Sequence, residues 1–463
     1  METPVFDFIE EYKNNKTARF HMPGHKGKAF LGSESFDITE ISGADSLYEA
    51  SGIIAKSEEN AASLFGSERT MYSTEGSSHC IKAMLYLAAG HFLEMRPKNG
   101  PEKETPRPLF LASRNVHRSF VYGAALIDAD VEWIPCQRRS GLCDYLIDAD
   151  SLKKKLKGMK AQGIIPAGVY ITSPDYLGNI ADVKTIARIA HEFGTLLLVD
   201  NAHGAYLKFA EGGSDGDVSM HPVDLGADIV CDSAHKTLPV LTGGAYLHLS
   251  KTAPGDISDK MKAALALFGS TSPSYLVMAS LDLVNSYIAD GYAEKLAKIT
   301  RYIENTREKL RRNGWQAENS DPLRITVRAP KGISGDDMAQ ILRNAGAECE
   351  HADRDYLVLM FTTENTEEEI DIICDALGVN DAPYEEAQTL EDLSFERVMS
   401  IREAVFSNQE KIPVREAKGR ICASPAVSCP PAVPVVVSGE VITSSHIDVM
   451  MKYGISEVSV VKV

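Results

Sequence analysis

The chain has 463 residues, room for about three units at roughly 150 residues each, and it can bury a sizeable core without a disulfide or metal scaffold. Its 44% apolar and 24% charged residues exclude a disordered chain, a collagen-like repeat and a coiled coil. The net charge of −17, from 48 basic and 65 acidic residues, argues against a general nucleic-acid or anionic-membrane binder, because both partners demand a positive field.

The N-terminal stretch METPVFDFIEEYKNN is acidic and has no apolar secretory core. No apolar run approaches the roughly 18 residues of a membrane span. The eight cysteines (Cys80, Cys136, Cys143, Cys231, Cys349, Cys374, Cys422, Cys429) include no CxxC pair. Reduced thiols in a cytoplasm fit that scatter better than a disulfide framework or a zinc site, and no metal is expected.

Residues 1–60 mix turns with short apolar pieces and read as an arm. From residue 61 to 290 strand and helix patterns alternate, with a charged, proline-punctuated loop over Pro101–Pro108. Ile164–Thr172 is apolar and β-branched, and Val183–Phe193 is an amphipathic helix stopped by Gly194. Leu196–Val199 and Asp228–Cys231 are short buried strands. This rhythm predicts a mostly parallel sheet with helices on both faces. A long helix over Tyr292–Asn313 places Leu296, Ile299, Ile303 and Leu310 on one face and ends at Gly314. Leu323–Val327, Gly335–Ala345 and Tyr356–Phe361 then read as β-α-β. Asp381–Asp392 is an acidic connector, and the tail from Phe395 is a third small unit with a proline-rich turn at Cys429–Pro434. The expected division is therefore 1–60, 61–290, 291–380 and 381–463.

Four segments carry chemistry. Asp232-Ser233-Ala234-His235-Lys236-Thr237-Leu238 puts a lysine among small hydroxyl residues after a buried strand, with Gly243 and Gly244 opening another strand soon after. Desolvated there, the amine can form a Schiff base with an aldehyde; otherwise it is a surface-loop lysine. Asp200-Asn201-Ala202-His203-Gly204 puts a carboxylate at a strand end, where open α/β sheets bind ligands. Such a carboxylate either keeps the pyridine nitrogen of pyridoxal phosphate (PLP) protonated or caps a helix. Ser73-Thr74-Glu75-Gly76-Ser77-Ser78-His79 precedes the apolar helix Ile81–Ala89 and is either a phosphate cradle or an ordinary serine-rich cap. In Asn115-Val116-His117-Arg118-Ser119, His117 either stacks on a cofactor ring or is a satisfied loop histidine.

Together SAHKTL, DNAHGA, RNVHRS and Arg19–Gly27 (RFHMPGHKG) resemble the Orn/Lys/Arg decarboxylases of PLP fold type I, in particular short bacterial members without a receiver-like wing domain. Asp37–Glu40, Ser270–Tyr275, Asp321–Leu323, Pro430–Pro434 and Gly439-Glu440 extend the resemblance over nearly the whole chain. It implies a large PLP-binding domain of the aspartate aminotransferase type, a small α/β domain and a C-terminal α+β decarboxylase unit. It also implies PLP-dependent decarboxylation of arginine, lysine or ornithine to a polyamine-pathway amine. Lys236 would carry the cofactor, Asp200 pair with the ring nitrogen, His117 stack on the ring and His203 sit near the ring hydroxyl. Gly76, Ser77, Ser78, Ser233 and His235 would hold the phosphate. Thr271 or Ser272 would complete the neighbouring subunit's phosphate site, which implies a homodimer.

The sequence departs from the family in three places. Glu75 stands where the phosphate loop has asparagine, Cys80 stands where it has glycine, and Ser428–Ala432 replaces Tyr-Pro-Pro-Gly. Asp45, Glu350 and Asp353 are candidate acceptors for the substrate's distal cation, or plain surface and capping carboxylates. Two other readings remain. One is an aminotransferase or other fold type I reaction, with Arg324 or Arg328 as carboxylate clamp. The other is a catalytically silent PLP-binding relative.

Overall fold

The computed structural model describes all residues except 96–106, 136–142, 144, 211–218, 319, 386–392, 428–431 and 463. Residues 101–106 of the proline-punctuated loop, Cys136, Cys429, residues 386–392 of the connector and Ser428–Pro431 therefore lie outside the described residues. The chain forms two compact units, Met1–Arg96 with Val183–Lys295, and Pro97–Asp182 with Leu296–Val463.

The main sheet has seven strands: β1 (Arg69–Ser73), β2 (Leu109–Ala112), β3 (Asp130–Trp133), β4 (Gly168–Thr172), β5 (Leu196–Asp200), β6 (Ile229–Asp232) and β7 (Ala245–Leu249). The first unit holds four of them in the order β1-β7-β6-β5 and the second holds three in the order β4-β2-β3. β5/β6, β2/β3 and β2/β4 pair in parallel. β7 runs antiparallel to both β6 and β1. Every residue of β5, β6 and β7 is buried, so these strands are continuous apolar runs covered on both faces rather than alternating ones.

Helices α1 (Pro4–Asn14), α2 (Ile53–Phe65) and α3 (Ser77–Glu94) belong to the first unit. α3 buries His79, Cys80, Ile81, Met84, Leu85 and Leu87, apolar around most of its circumference, as a helix enclosed by a core must be. The arm is not featureless. Val5 and Ile9 of α1 are fully buried, and the Asp282 carboxylate accepts the N–H groups of Val5 and Phe6 at 2.8 and 3.0 Å. These are orphan donors at a helix start, answered by a side chain 276 positions or more away.

In the second unit, β4 begins at Gly168, four residues later than the sequence pattern suggests. Ile164 and Ile165 are exposed, and Pro166 cannot donate to a ladder. A smaller antiparallel sheet, β8 (Arg324–Arg328), β9 (His351–Ala352) and β10 (Tyr356–Met360) in the order β8-β10-β9, carries the expected β-α-β pattern around the helix Gly335–Asn344. Capping boxes Ser334/Asp337 and Thr366/Glu369 start that helix and the helix Glu367–Leu377. The long helix Tyr292–Arg312 buries Leu296, Ile299, Ile303 and Leu310.

Candidate active site

The ends of β5 and β6 lie side by side, with Asp200 registered on Cys231. Asp200 is almost fully buried. Its Oδ1 accepts the Ala202 N–H at 3.2 Å and the Cys231 thiol at 3.6 Å. Burial pushes Cys231 well above the ordinary thiol range, so it stays a donor. Past Asp200 the chain turns back, with Gly204 N–H donating to the Asn201 carbonyl at 2.8 Å. That turn delivers His203 to Lys236, whose Nζ lies 3.0 Å from His203 Nε2.

Lys236 sits in a single helical turn, Ala234–Thr237, directly after β6. The turn is pinned by the Gly244 carbonyl, which accepts the His235 N–H at 3.2 Å and pairs with His235 Nδ1 at 3.0 Å. Burial lowers the His235 pKa and favours its neutral ring. Gly243 performs the matching task for the other loop. Its carbonyl accepts the Gly76 N–H at 2.7 Å, and at φ +100° any Cβ would stand 2.7 Å from the Thr74 carbonyl oxygen.

Gly76, at φ +75°, starts the 18-residue α3 with no side-chain cap. The first turn of α3 therefore offers backbone N–H groups and the positive dipole end to an anion. Ser233 Oγ donates to Ser77 Oγ at 2.8 Å, which joins the β6 turn to the start of α3. An amine for an aldehyde, a carboxylate for a pyridinium nitrogen, and glycine and serine donors at a helix start for a phosphate make one chemically coherent set. These residues fit PLP.

The two departures in the loop have structural explanations. Glu75 Oε1 accepts the Ser270 N–H at 2.6 Å, so this carboxylate ties down the segment that carries Thr271 and Ser272. Cys80 is fully buried, its thiol pushed up to about 12 by burial, and fills core rather than a ligand site. Ser272 N–H bonds to Ser270 Oγ at 3.1 Å in an exposed stretch.

His117 belongs to the second unit, where it caps the helix α4 (Arg118–Leu126). Its Nδ1 accepts the Ser119 N–H at 3.2 Å, which leaves the ring proton on Nε2. The neighbouring Asn115, 4% exposed, has both polar side-chain atoms without a hydrogen-bond partner among the described residues. No spacing or composition signal marks Asn115 apart from its motif. Two candidate acceptors are occupied elsewhere. Asp45 accepts the N–H groups of Ser46, Ser51, Gly52 and Ile54 around the start of α2. Asp353 accepts those of Asp355 and Tyr356. Glu350 accepts the Tyr176 hydroxyl at 2.8 Å. Arg324, 1% exposed, is engaged by the Asp175 and Tyr176 carbonyls and by Asp321.

The profile of the Orn/Lys/Arg decarboxylase major domain matches residues 3–329, and that of the family's C-terminal domain matches residues 384–454. The chain is 27% identical to an arginine decarboxylase of Bacillus subtilis (strain 168), over 97% of this chain and 93% of that protein. It is 28% identical to an arginine decarboxylase of Bacillus anthracis, over 97% and 93%. The solved structure of the Francisella novicida lysine decarboxylase LdcF superposes with a TM-score of 0.79 at 16% identity, covering 99% of this chain and 81% of that one, and shows the shared fold. No helix among the described residues is long and apolar enough to cross a membrane. The chain belongs to the Orn/Lys/Arg decarboxylase family and is a decarboxylase.

Proposed function

We propose that this decarboxylase uses PLP to remove CO2 from a basic amino acid, arginine first and lysine or ornithine next, leaving a polyamine-pathway amine. The observation that carries the reading is the Lys236 amine held 3.0 Å from His203 Nε2, with the buried Asp200 carboxylate at the adjoining strand end. PLP, when bound, supplies a sink for the electrons left at Cα as CO2 departs.

This chain's own residues supply the rest. Lys236 would hold the aldehyde end. Asp200, at the end of β5, would pair with the ring nitrogen and keep it protonated. Gly76, Ser77, Ser78, Ser233 and His235 would hold the phosphate, and His203 would lie near the ring hydroxyl. His117 would stack on the ring. Lys236 or His235 would return a proton to Cα, since both stand on the turn that follows β6. Ser272, tethered through Ser270 to Glu75, would serve the phosphate of a partner subunit in a homodimer.

Arginine is favoured because relatives aligned over nearly the whole chain are named arginine decarboxylases. Glu350 is the remaining candidate acceptor for its distal cation, and the charge of −17 suits a cationic substrate and a cytoplasmic setting. The aminotransferase reading loses support from its two proposed clamps, because Arg324 is engaged by Asp175, Tyr176 and Asp321 and Arg328 bonds to Gln316 and the Glu385 carbonyl. The silent-relative reading loses its motive, because Glu75 and Cys80 have structural roles. The proposed division into an arm (1–60), a PLP domain (61–290), a small domain (291–380) and a C-terminal domain (381–463) accompanies this reading. Borohydride reduction of the PLP-loaded protein, followed by peptide mapping, tests it. The cofactor is expected on Lys236; a cofactor fixed on another lysine, or none, overturns the assignment.

A further inference from the structure

Beneath the turn that carries His203 lies a cluster that the proposed chemistry leaves unused. Asp232, the residue after Cys231, points to the other face of β6 and is wholly buried. Its Oδ2 accepts His221 Nε2–H at 2.9 Å and His248 Nε2–H at 3.1 Å, and its Oδ1 accepts the Asn201 side-chain amide at 2.7 Å. Two imidazoles and a carboxylate this close have the composition of a cation site.

The proton positions argue otherwise. His221 Nδ1 accepts the Val223 N–H at 3.3 Å, so the ring proton sits on Nε2 and points at Asp232. A metal-bound Nε2 would have no proton, and the ring's Nδ1 would have to donate. His248 Nδ1 pairs with the Thr70 hydroxyl at 2.8 Å, consistent with the same tautomer. The cluster is thus a carboxylate gripped by three donors. Burial alone would raise the Asp232 pKa, but His221 and His248 hold it below the usual carboxylate range.

What Asp232 grips is the root of the turn. Asn201 follows Asp200, donates its N–H to the Cys231 carbonyl at 2.9 Å and its side-chain amide to Asp232, and is fastened to β6 at both points. A Cβ on Gly204 would collide with Asn201 Oδ1 and Leu207 Cδ1. Glycine there is what lets the Asn201 side chain lie under the turn.

We infer that Asn201 and Asp232 are positioning residues, a side-chain clamp that fixes the Asp200–Gly204 turn so that His203 Nε2 stays on Lys236 Nζ. The inference rests on Lys236 being the reactive amine. The groups facing Lys236 include His203, from the β5 turn, and His235, on its own turn. Those facing Asp232 are His221, His248 and Asn201, with the charge of Asp232 also reaching Tyr246, Cys80 and Cys231.

The test reads Lys236 itself. The full chain, freed of bound aldehyde, is pulsed with acetic anhydride over a pH series, and acetylation of Lys236 is followed by mass spectrometry. The His203 ring engages the amine at 3.0 Å, so losing that contact leaves the amine more open to the reagent. Asn201→Ala is expected to acetylate about three- to tenfold faster, the size of one hydrogen bond lost from the amine. Gly204→Ala displaces the same amide without removing a polar group and should give the same change. Asp232→Asn keeps acceptors for both imidazoles and can pair with a flipped Asn201, so it should stay within about twofold of wild type. Wild-type acetylation in whichever of Asn201→Ala and Gly204→Ala keeps the wild-type thermal transition overturns the clamp. So does an Asp232→Asn effect as large as that of Asn201→Ala, which would point to charge rather than geometry. Failure of the PLP reading shows separately, as wild-type protein that acquires no visible absorption with PLP.

Discussion

Glu440→Ala should be the most destabilising single change in the second unit. The Glu440 carboxylate accepts Arg114 Nη2 at 2.7 Å and the Val437 N–H at 2.8 Å on Oε2, and the Trp133 indole N–H at 3.1 Å on Oε1. Arg114 and Glu440 are each 1% exposed, and the guanidinium lies between the rings of Trp133 and Phe395, 4.6 and 4.1 Å from their centroids. Removing the carboxylate strands a buried cation and takes the acceptor from the Val437 and Trp133 N–H groups. Breaking a buried pair by removing one partner costs about 3–5 kcal/mol, mostly as the penalty of the charge left behind. Glu440→Gln keeps one acceptor and the packing, and should cost about half as much. Trp133 is one of two tryptophans, so urea unfolding followed by fluorescence in a Trp315→Phe background reports on this site. A Glu440→Ala protein within about 1 kcal/mol of wild type would refute the claim that the pair joins Gly439-Glu440 of the tail to the root of the His117 motif.

Other outcomes follow from the same structure. Burial raises Asp282 to about 6, above its unfolded value, so ionising it opposes folding at neutral pH and the penalty fades as pH falls through 6 toward 4. Relative to Asp282→Asn, wild type should gain about 2–3 kcal/mol between pH 7 and pH 4; equal pH dependence in urea unfolding of the two would contradict this. Gly243→Ala should weaken PLP binding about tenfold by pressing on the Thr74 carbonyl, and wild-type affinity by fluorescence titration would oppose it. Cys80 and Cys231 should resist iodoacetamide at pH 8 in the native protein, being buried and held as thiols, while half-buried Cys349 reacts; labelling of Cys80 at the rate of Cys349 would count against the loop geometry.

The parallel-sheet core was legible because β5 and β6 are apolar runs ended by Asp200 and Asp232, and because the amphipathic helix Val183–Glu192 leads into β5. The Lys236 and Asp200 motifs were legible because reactive groups at strand ends stand among small residues. What the sequence could not show is which carboxylates are spent locally. Asp45 and Asp353 look like acceptors in one dimension and prove to bond to nearby backbone N–H groups. The arm hid α1, whose first N–H groups find their acceptor only at Asp282. Asn201 and Asp232 sat inside motifs already recognised, yet their role depends on His221 and His248, which no local spacing links to them. Glu75 stands out in the sequence only as a departure from asparagine, because its partner, the Ser270 N–H, lies 195 positions away.

The most direct test of the account is CO2 release. Carboxyl-labelled arginine, lysine and ornithine are offered separately to the PLP-loaded wild-type protein and to Lys236→Ala. The account predicts labelled CO2 from at least one of them, fastest with arginine, and none above background from Lys236→Ala. Full turnover by Lys236→Ala, or no CO2 from any of the three with wild type, would contradict it.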